Sequence, residues 1–226
     1  MKIDEIIRSK RRTIALEITR DARLVVRAPL KVSKQMIAQA VEQKRDWIQE
    51  KLNDAKNRDE KYPPKRCTPG ESFLLLGGKY SLCFDSGAAE IALQNGQLVV
   101  PARFQADARH VLTAWYKAQA DEVLRQRTDY YAAKAGVQYQ SLKITSALSR
   151  WGSCSDGGRL CFTWRLVMAP LKMIDYVVVH ELSHIGHPDH SKAFWQRVGT
   201  LMPDFAPRRA WLRENAALLR RDFFAD

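Results

Sequence analysis

The chain has no apolar run near the ~20 residues that a membrane-spanning helix needs. Its first 30 residues carry scattered charges and no apolar stretch of signal-peptide type. Both absences point away from membrane or export, and a cytoplasmic location is expected. Paired-cysteine motifs are missing as well: none of Cys67, Cys83, Cys154 and Cys161 sits in a C-x-x-C arrangement. In a reducing compartment all four are expected as free thiols. Repeats and low-complexity tracts are absent. Histidine is scarce, with five in 226 residues. Four of the five fall inside "HELSHIGHPDH", residues 180 to 190, so the imidazole chemistry of the chain is concentrated at one place.

What is present describes a folded, basic protein. Hydrophobic residues make up 46% and aromatic residues 9%, including six tryptophans, which excludes a disordered chain. The formal net charge is +12. It is unevenly spread: residues 1–66 hold 18 Lys/Arg against 10 Asp/Glu. Such an excess favours polyanionic partners, and weak nucleic-acid binding through the basic N-terminal third is one expectation. No aromatic-rich RNA motif or DNA-reading helix accompanies the charge.

Hydrophobic periodicity outlines the elements. "TIALEI" and "RLVVRAP" read as a β-hairpin. "SKQMIAQAVEQKRDWIQEKL" reads as one helix capped by Ser33, with Met36, Ile37, Ala40, Val41, Trp47, Ile48 and Leu52 on its apolar side. The polar, Pro-bearing "NDAKNRDEKYPPKRCTPGE" is the expected linker. It divides a basic hairpin-and-helix module, residues 1–66, from a larger region, 67–226, the two being expected to pack as one unit. Within the larger region "QNGQ" signals a tight hairpin turn. A long helix is expected from Ala106 to Ala135, ended by Gly136. Two strands flank "RWGSCSDGG", and everything after Pro170 is expected to be helical.

The metal-binding chemistry starts from H-E-x-x-H: His180, Glu181 and His184. Residues four apart share a helix face about 6 Å apart, so two imidazoles can converge on one ion. Glu181 lies beside that pair, positioned to take a proton from a water rather than to bind the metal. A catalytic zinc needs a third ligand and an open position. On a continuous helix His187 would stand roughly 10 Å beyond His180, too far along a line to close a tetrahedron. Gly186 can leave the helical conformation and Pro188 resists its continuation. The turn would then bring back His190 just before Ser191 caps the next helix. His190 is the expected third ligand; His187 and a distant acid such as Glu214 are the alternatives. Three imidazoles favour zinc, one ion, among cellular metals. Asp189 is expected either to orient a ligand or to form the turn after Pro188.

These residues carry a resemblance. "SRWGSCSDGGRL" followed by "APLKMIDYVVVHELSHIGHPDHSKAFWQRVGTLMPDF" resembles the YgjP-like metal-dependent hydrolases, zincin-type proteins related to SprT and Spartan-like metallopeptidases. The opening "IRSKRRTIALEI" and the "WIQEKL" helix are similar to that family's N-terminus. The resemblance implies a zinc ligand at the histidine of the H-S-x-x-F-W segment, here His190. It implies an α+β fold: a zincin-like catalytic unit with an antiparallel sheet and an H-E-x-x-H active-site helix, preceded by the hairpin-plus-helix module. One departure stands out. Where the family carries P-D-Y, this chain has Pro203, Asp204 and Phe205, so no hydroxyl is available there; Tyr176, one turn before His180, is the nearest replacement.

The expected function is zinc-dependent hydrolysis, foremost peptide hydrolysis by a water that zinc and Glu181 activate together. The alternatives are hydrolysis of a small phosphorylated substrate such as a nucleoside triphosphate, and a non-catalytic nucleic-acid-binding module with structural zinc. Expected substrate-side residues are Arg150, Trp151, Gly152, Tyr176 and His187. Arg150 could grip a carboxylate or phosphate, and Gly152 could allow close backbone approach. Cys154 is expected to pack as a small residue, with a metal-proximal thiol as the alternative.

Overall fold

A computed structural model describes residues 1–19, 21–57 and 64–220. The centre of the expected linker, 58–63, and the end of the last expected helix, 221–226, lie outside the described residues. The chain divides into two compact units, Met1–Pro63 and Pro64–Asp226.

The first unit is a three-stranded sheet with two helices. Strands β1 (Glu5–Ser9), β2 (Ala15–Ile18) and β3 (Leu24–Pro29) take the order β1-β3-β2, with β2 antiparallel and β1 parallel to β3. The hairpin thus gains a strand that the sequence reading lacked. β1 reads EIIRS and shows no clean alternation, because it is an edge strand with a largely exposed pattern. β3 buries Leu24, Val25, Val26 and Ala28, and the alternate residues Leu24, Val26 and Ala28 join one core. Their partners are Ile37 and Val41 of α1 (Lys34–Glu42) and Ile48 of α2 (Arg45–Lys56). The single expected helix is therefore two, interrupted at Gln43 and Lys44. The break lets both short helices turn an apolar stripe to the same core, while Met36 and Trp47, expected inside, are 54% and 41% exposed.

In the second unit, β4 (Ser72–Leu75), β5 (Gly78–Asp85), β6 (Ala92–Gln94) and β7 (Gln97–Pro101) form one sheet, ordered β4-β5-β7-β6. Asn95 and Gly96 both take positive φ, 48° and 76°, and close the β6–β7 hairpin. A 3₁₀ turn then leads into α3 (Ala108–Ala135), which buries Leu112, Tyr116, Ala120, Leu124 and Thr128 on one face. A second sheet follows: β8 (Ser141–Thr145), β9 (Gly152–Cys154) and β10 (Arg159–Thr163), ordered β8-β10-β9.

Both sheets are mixed, not antiparallel as expected. In each, a tight turn folds the last strand back beside its predecessor, so that it lies between two earlier strands. β10 is antiparallel to β9 and parallel to β8; β7 is antiparallel to β6 and parallel to β5.

Four helices complete the unit: α4 (Leu171–Ser183), α5 (Lys192–Leu201), α6 (Phe205–Glu214) and α7 (Ala216–Arg220). α4 is buried nearly all round, from Met173 through Val179 and again at Leu182. It packs against α3, α5, α6 and β9. Asp175 ties it to α3: the Arg127 guanidinium donates Nε and Nη2 to its two carboxylate oxygens at 2.6 and 3.0 Å, and the Tyr131 hydroxyl adds a bond of 3.2 Å. The helix that carries His180 and Glu181 is thus held by packing and by a bidentate ion pair. All four cysteines are free. No helix among the described residues is long and apolar enough to cross a membrane.

Candidate metal centre

α4 ends at Ser183, and His184 caps it in helical conformation (φ −67°, ψ −18°). The i, i+4 relation of His180 and His184 therefore holds although the second residue is already outside the helix. Gly186 takes φ +96°, a left-handed conformation that favours glycine. The chain reverses through Pro188 and Asp189, whose Oδ1 accepts the Ser191 N–H at 3.3 Å. Ser191 then caps α5, its hydroxyl accepting from Phe194 N. Asp189 thus forms the turn that precedes α5.

The reversal brings His190 back. His180, His184 and His190 each offer a ring nitrogen, and these atoms lie within 4.8 Å of one another. The Nε2 atoms of His180 and His190 are 3.1 Å apart. Ligand atoms around a tetrahedral zinc, with Zn–N of ~2.0–2.1 Å, stand roughly 3.3 Å apart, so this pair already has a suitable spacing. Neither His187 nor Glu214 belongs to the group.

The electrostatics test whether a cation fits. His184 Nδ1 lies 3.1 Å from the His187 carbonyl. A carbonyl can only accept, so Nδ1 carries the hydrogen and Nε2 keeps its lone pair for a metal. His187 contributes here through its backbone. Nδ1 of His180 is buried without a hydrogen-bond partner among the described residues. Burial first, then the neighbouring His184 and His190, push the His180 pKa down to about 3. At neutral pH the His180 imidazole is therefore neutral and keeps a ring nitrogen free for a cation. The donor set, three imidazoles, is one that zinc accepts.

An aromatic floor supports the histidines. Phe194 is fully buried, its ring centroid 4.9, 4.5 and 4.8 Å from those of His180, His184 and His190. Trp195 stacks on His190 at 5.8 Å and on Phe205 at 5.4 Å. Phe205, at the position where the family carries tyrosine, is thus part of this stack. The sequence signal for the floor is position: Phe194 and Trp195 lie four and five residues after His190, on the first turn of the next helix.

Glu181 is 6% exposed. Burial raises its pKa to about 7, with Arg150 pulling the other way. β9 runs directly over it: a Cβ built on Gly152 would lie 2.7 Å from both Cγ and Oε1 of Glu181. The group that Gly152 lets approach the backbone closely is the Glu181 carboxylate.

Two clefts meet at Gly152, His180 and Glu181. One, of about 300 Å³, is lined by Ser153, Cys154, Ser155 and Asp156 with His184 and His190. The other, of about 470 Å³, is lined by Arg150, Trp151, Tyr176, Arg209, Leu212 and Arg213 among others. Arg150, Trp151, Gly152 and Tyr176 thus gather beside the histidines, whereas His187 lines neither cleft. Cys154 reaches the smaller cleft; burial raises its pKa, helped by Glu181 and Asp156, which keeps it a thiol. Arg209 and Arg213, four apart on α6, were missed because nothing local connects them to residue 180.

Residues 12–215 match the family described as YgjP-like, metallopeptidase domain. Among solved structures, the metallopeptidase zymogen abylysin of Pyrococcus abyssi is similar over 45% of this chain and 97% of its own, with 20% identity and a TM-score of 0.36. No curated protein matches the sequence. With its match running over most of the sequence, the chain belongs to the YgjP-like metallopeptidase-domain family.

Proposed function

We propose that this YgjP-like chain is a zinc-dependent peptidase in which His180, His184 and His190 hold the ion and Glu181 is the general base. The observation that carries the reading is the convergence of three imidazole nitrogens, two of them 3.1 Å apart, next to a buried carboxylate. The catalytic unit would be zincin-like, with α4 as its active-site helix.

Zinc held by His180, His184 and His190 would supply Lewis acidity, making water a better nucleophile near neutral pH. The rest falls to the chain. Glu181 accepts a proton from the attacking water at a carboxylate oxygen as the new C–O bond forms. It then returns that proton to the amide nitrogen as the C–N bond breaks, so no net proton is consumed. Burial keeps Glu181 basic enough for the first step and close to neutral enough for the second. β9 pairs only with β10 among the described residues. Its open edge suits an extended peptide held by main-chain hydrogen bonds.

Glu181→Gln keeps the shape and removes the base. It should retain bound zinc at the wild-type stoichiometry while kcat on an unstructured protein falls ~10²–10⁴-fold. Turnover close to wild type would refute the assignment of the base. Failure of the zinc-loaded wild type to cleave any peptide would refute the peptidase reading itself.

A further inference from the structure

The two clefts that meet at Glu181 differ in charge. The smaller carries hydroxyls, a thiol and Asp156 and, beyond its histidines, no basic side chain. The larger carries three arginines, Arg150, Arg209 and Arg213, and no acid except Glu181 itself. None of the three forms an ion pair or side-chain hydrogen bond with a described residue. Three like charges around one cleft repel one another, and an anionic occupant relieves that repulsion.

The arginines come from two elements. Arg209 and Arg213 are four apart on α6 and share a face; Arg150 arrives from the segment that leads into β9. Arg209 lies with its guanidinium 4.7 Å above the Trp195 ring, and Trp195 in turn stacks on His190. One cation is thus tied to the same aromatic floor that supports the proposed ligands. The same cleft is also lined by apolar Val177, Leu212 and Ala216 and by the rings of Trp151 and Tyr176. A volume of about 470 Å³ lies within the usual range for a ligand site.

We propose that this cleft is a carboxylate-binding subsite, and that the preferred substrate is a peptide carrying an acidic side chain or its own C-terminal carboxylate beside the scissile bond. The inference rests on the peptidase reading and names the substrate class of the same site. Guanidinium forks match a carboxylate bidentately. The apolar residues of the same lining suit the methylenes of a Glu or Asp side chain. A polyphosphate would instead lay charged oxygens along Val177, Leu212 and Ala216 and beside the Glu181 carboxylate. The excess of arginine on one side also orients the peptide, because only one end of it meets favourable charge.

The test is binding, measured by calorimetry on zinc-loaded Glu181→Gln so that no peptide is consumed. Matched peptides of Ala and Ser would carry Glu, Gln or Lys at successive positions, each made as free acid and as C-terminal amide. At one position Glu should bind about tenfold tighter than Gln, with the gap narrowing as salt is raised. If the free acid exceeds the amide while Glu and Gln tie, the carboxylate is the C-terminal one. Arg213→Gln should bring the acidic and neutral peptides within about twofold, and Arg209→Gln should do the same if Trp195 keeps its place. Equal affinity for acidic and neutral peptides in every register would overturn the proposal. So would tighter binding of a nucleoside triphosphate, followed by its hydrolysis by the wild type. Cleavage by the wild type with no acidic preference would overturn this inference and leave the peptidase reading standing; no peptide cleavage at all would sink the peptidase reading first.

Discussion

Replacing Gly152 by alanine adds one methyl group where the backbone of β9 crosses the proposed general base. The new Cβ would stand 2.7 Å from Glu181 Cγ and Oε1 and 2.9 Å from Cδ. Ordinary carbon contacts need ~3.5–4.0 Å, so one partner must shift by roughly 0.8 Å or more. Glu181 is a side chain and gives way more easily than a paired strand, but at 6% exposure it has little room. The cost should therefore appear mainly in catalysis: displacement of a catalytic group by about 1 Å costs on the order of 10²-fold in rate. Overpacking should cost stability about 1 kcal/mol, which lowers Tm by roughly 2–4 °C in a chain of this size. Zinc stoichiometry should not change, because none of the three histidines is touched.

The assay is kcat on a quenched fluorescent peptide, with bound zinc and Tm measured on the same samples. Combining Gly152→Ala with Glu181→Asp supplies a control, since aspartate is one methylene shorter and relieves the contact. The double variant should then lose less than the product of the two single losses. Wild-type kcat for Gly152→Ala at unchanged Tm would refute the reasoning, and so would strictly multiplicative losses.

Two further predictions concern the metal and its support. Zinc at about 100 times its Kd should stabilise the folded chain by ~2.7 kcal/mol, seen as a Tm rise of roughly 5–10 °C that chelation reverses; in His190→Ala the rise should largely vanish, and its persistence would remove His190 from the ligand set. Asp175→Asn breaks the bidentate pair that ties α4 to α3 and should cost about 2–4 kcal/mol, read as a lower urea midpoint at unchanged m-value; a loss under about 0.5 kcal/mol would mean the pair does not anchor the helix.

Some of this arrangement was legible in the residue order and some was not. His180 and His184 could be related because helix geometry links positions four apart. The return of His190 followed from Gly186 and Pro188, whose backbone restrictions act locally. Ser33 and Ser191 were readable as caps for the same reason. The break at Gln43 and Lys44 was not, because both residues are tolerated in helices and only the shared core makes two short helices the better solution. Nor was β1, an exposed edge strand whose pairing partner lies some twenty residues away. The mixed direction of both sheets escaped as well, since strand order depends on where each turn delivers its strand.

By itself the sequence determined a folded, basic α+β chain and its local chemistry: the H-E-x-x-H helix, the turn after it, and the cap that starts α5. These depend on contacts within about ten residues, for which spacing is sufficient information. Tertiary structure alone decided what surrounds that chemistry. It laid β9 over Glu181 so that only glycine fits, set Phe194 beneath three imidazoles, and carried Arg209 and Arg213 to the cleft beside Tyr176. Those neighbours are separated by tens of residues, and their proximity is a result of how the buried helix α4 packs against β9, α5 and α6.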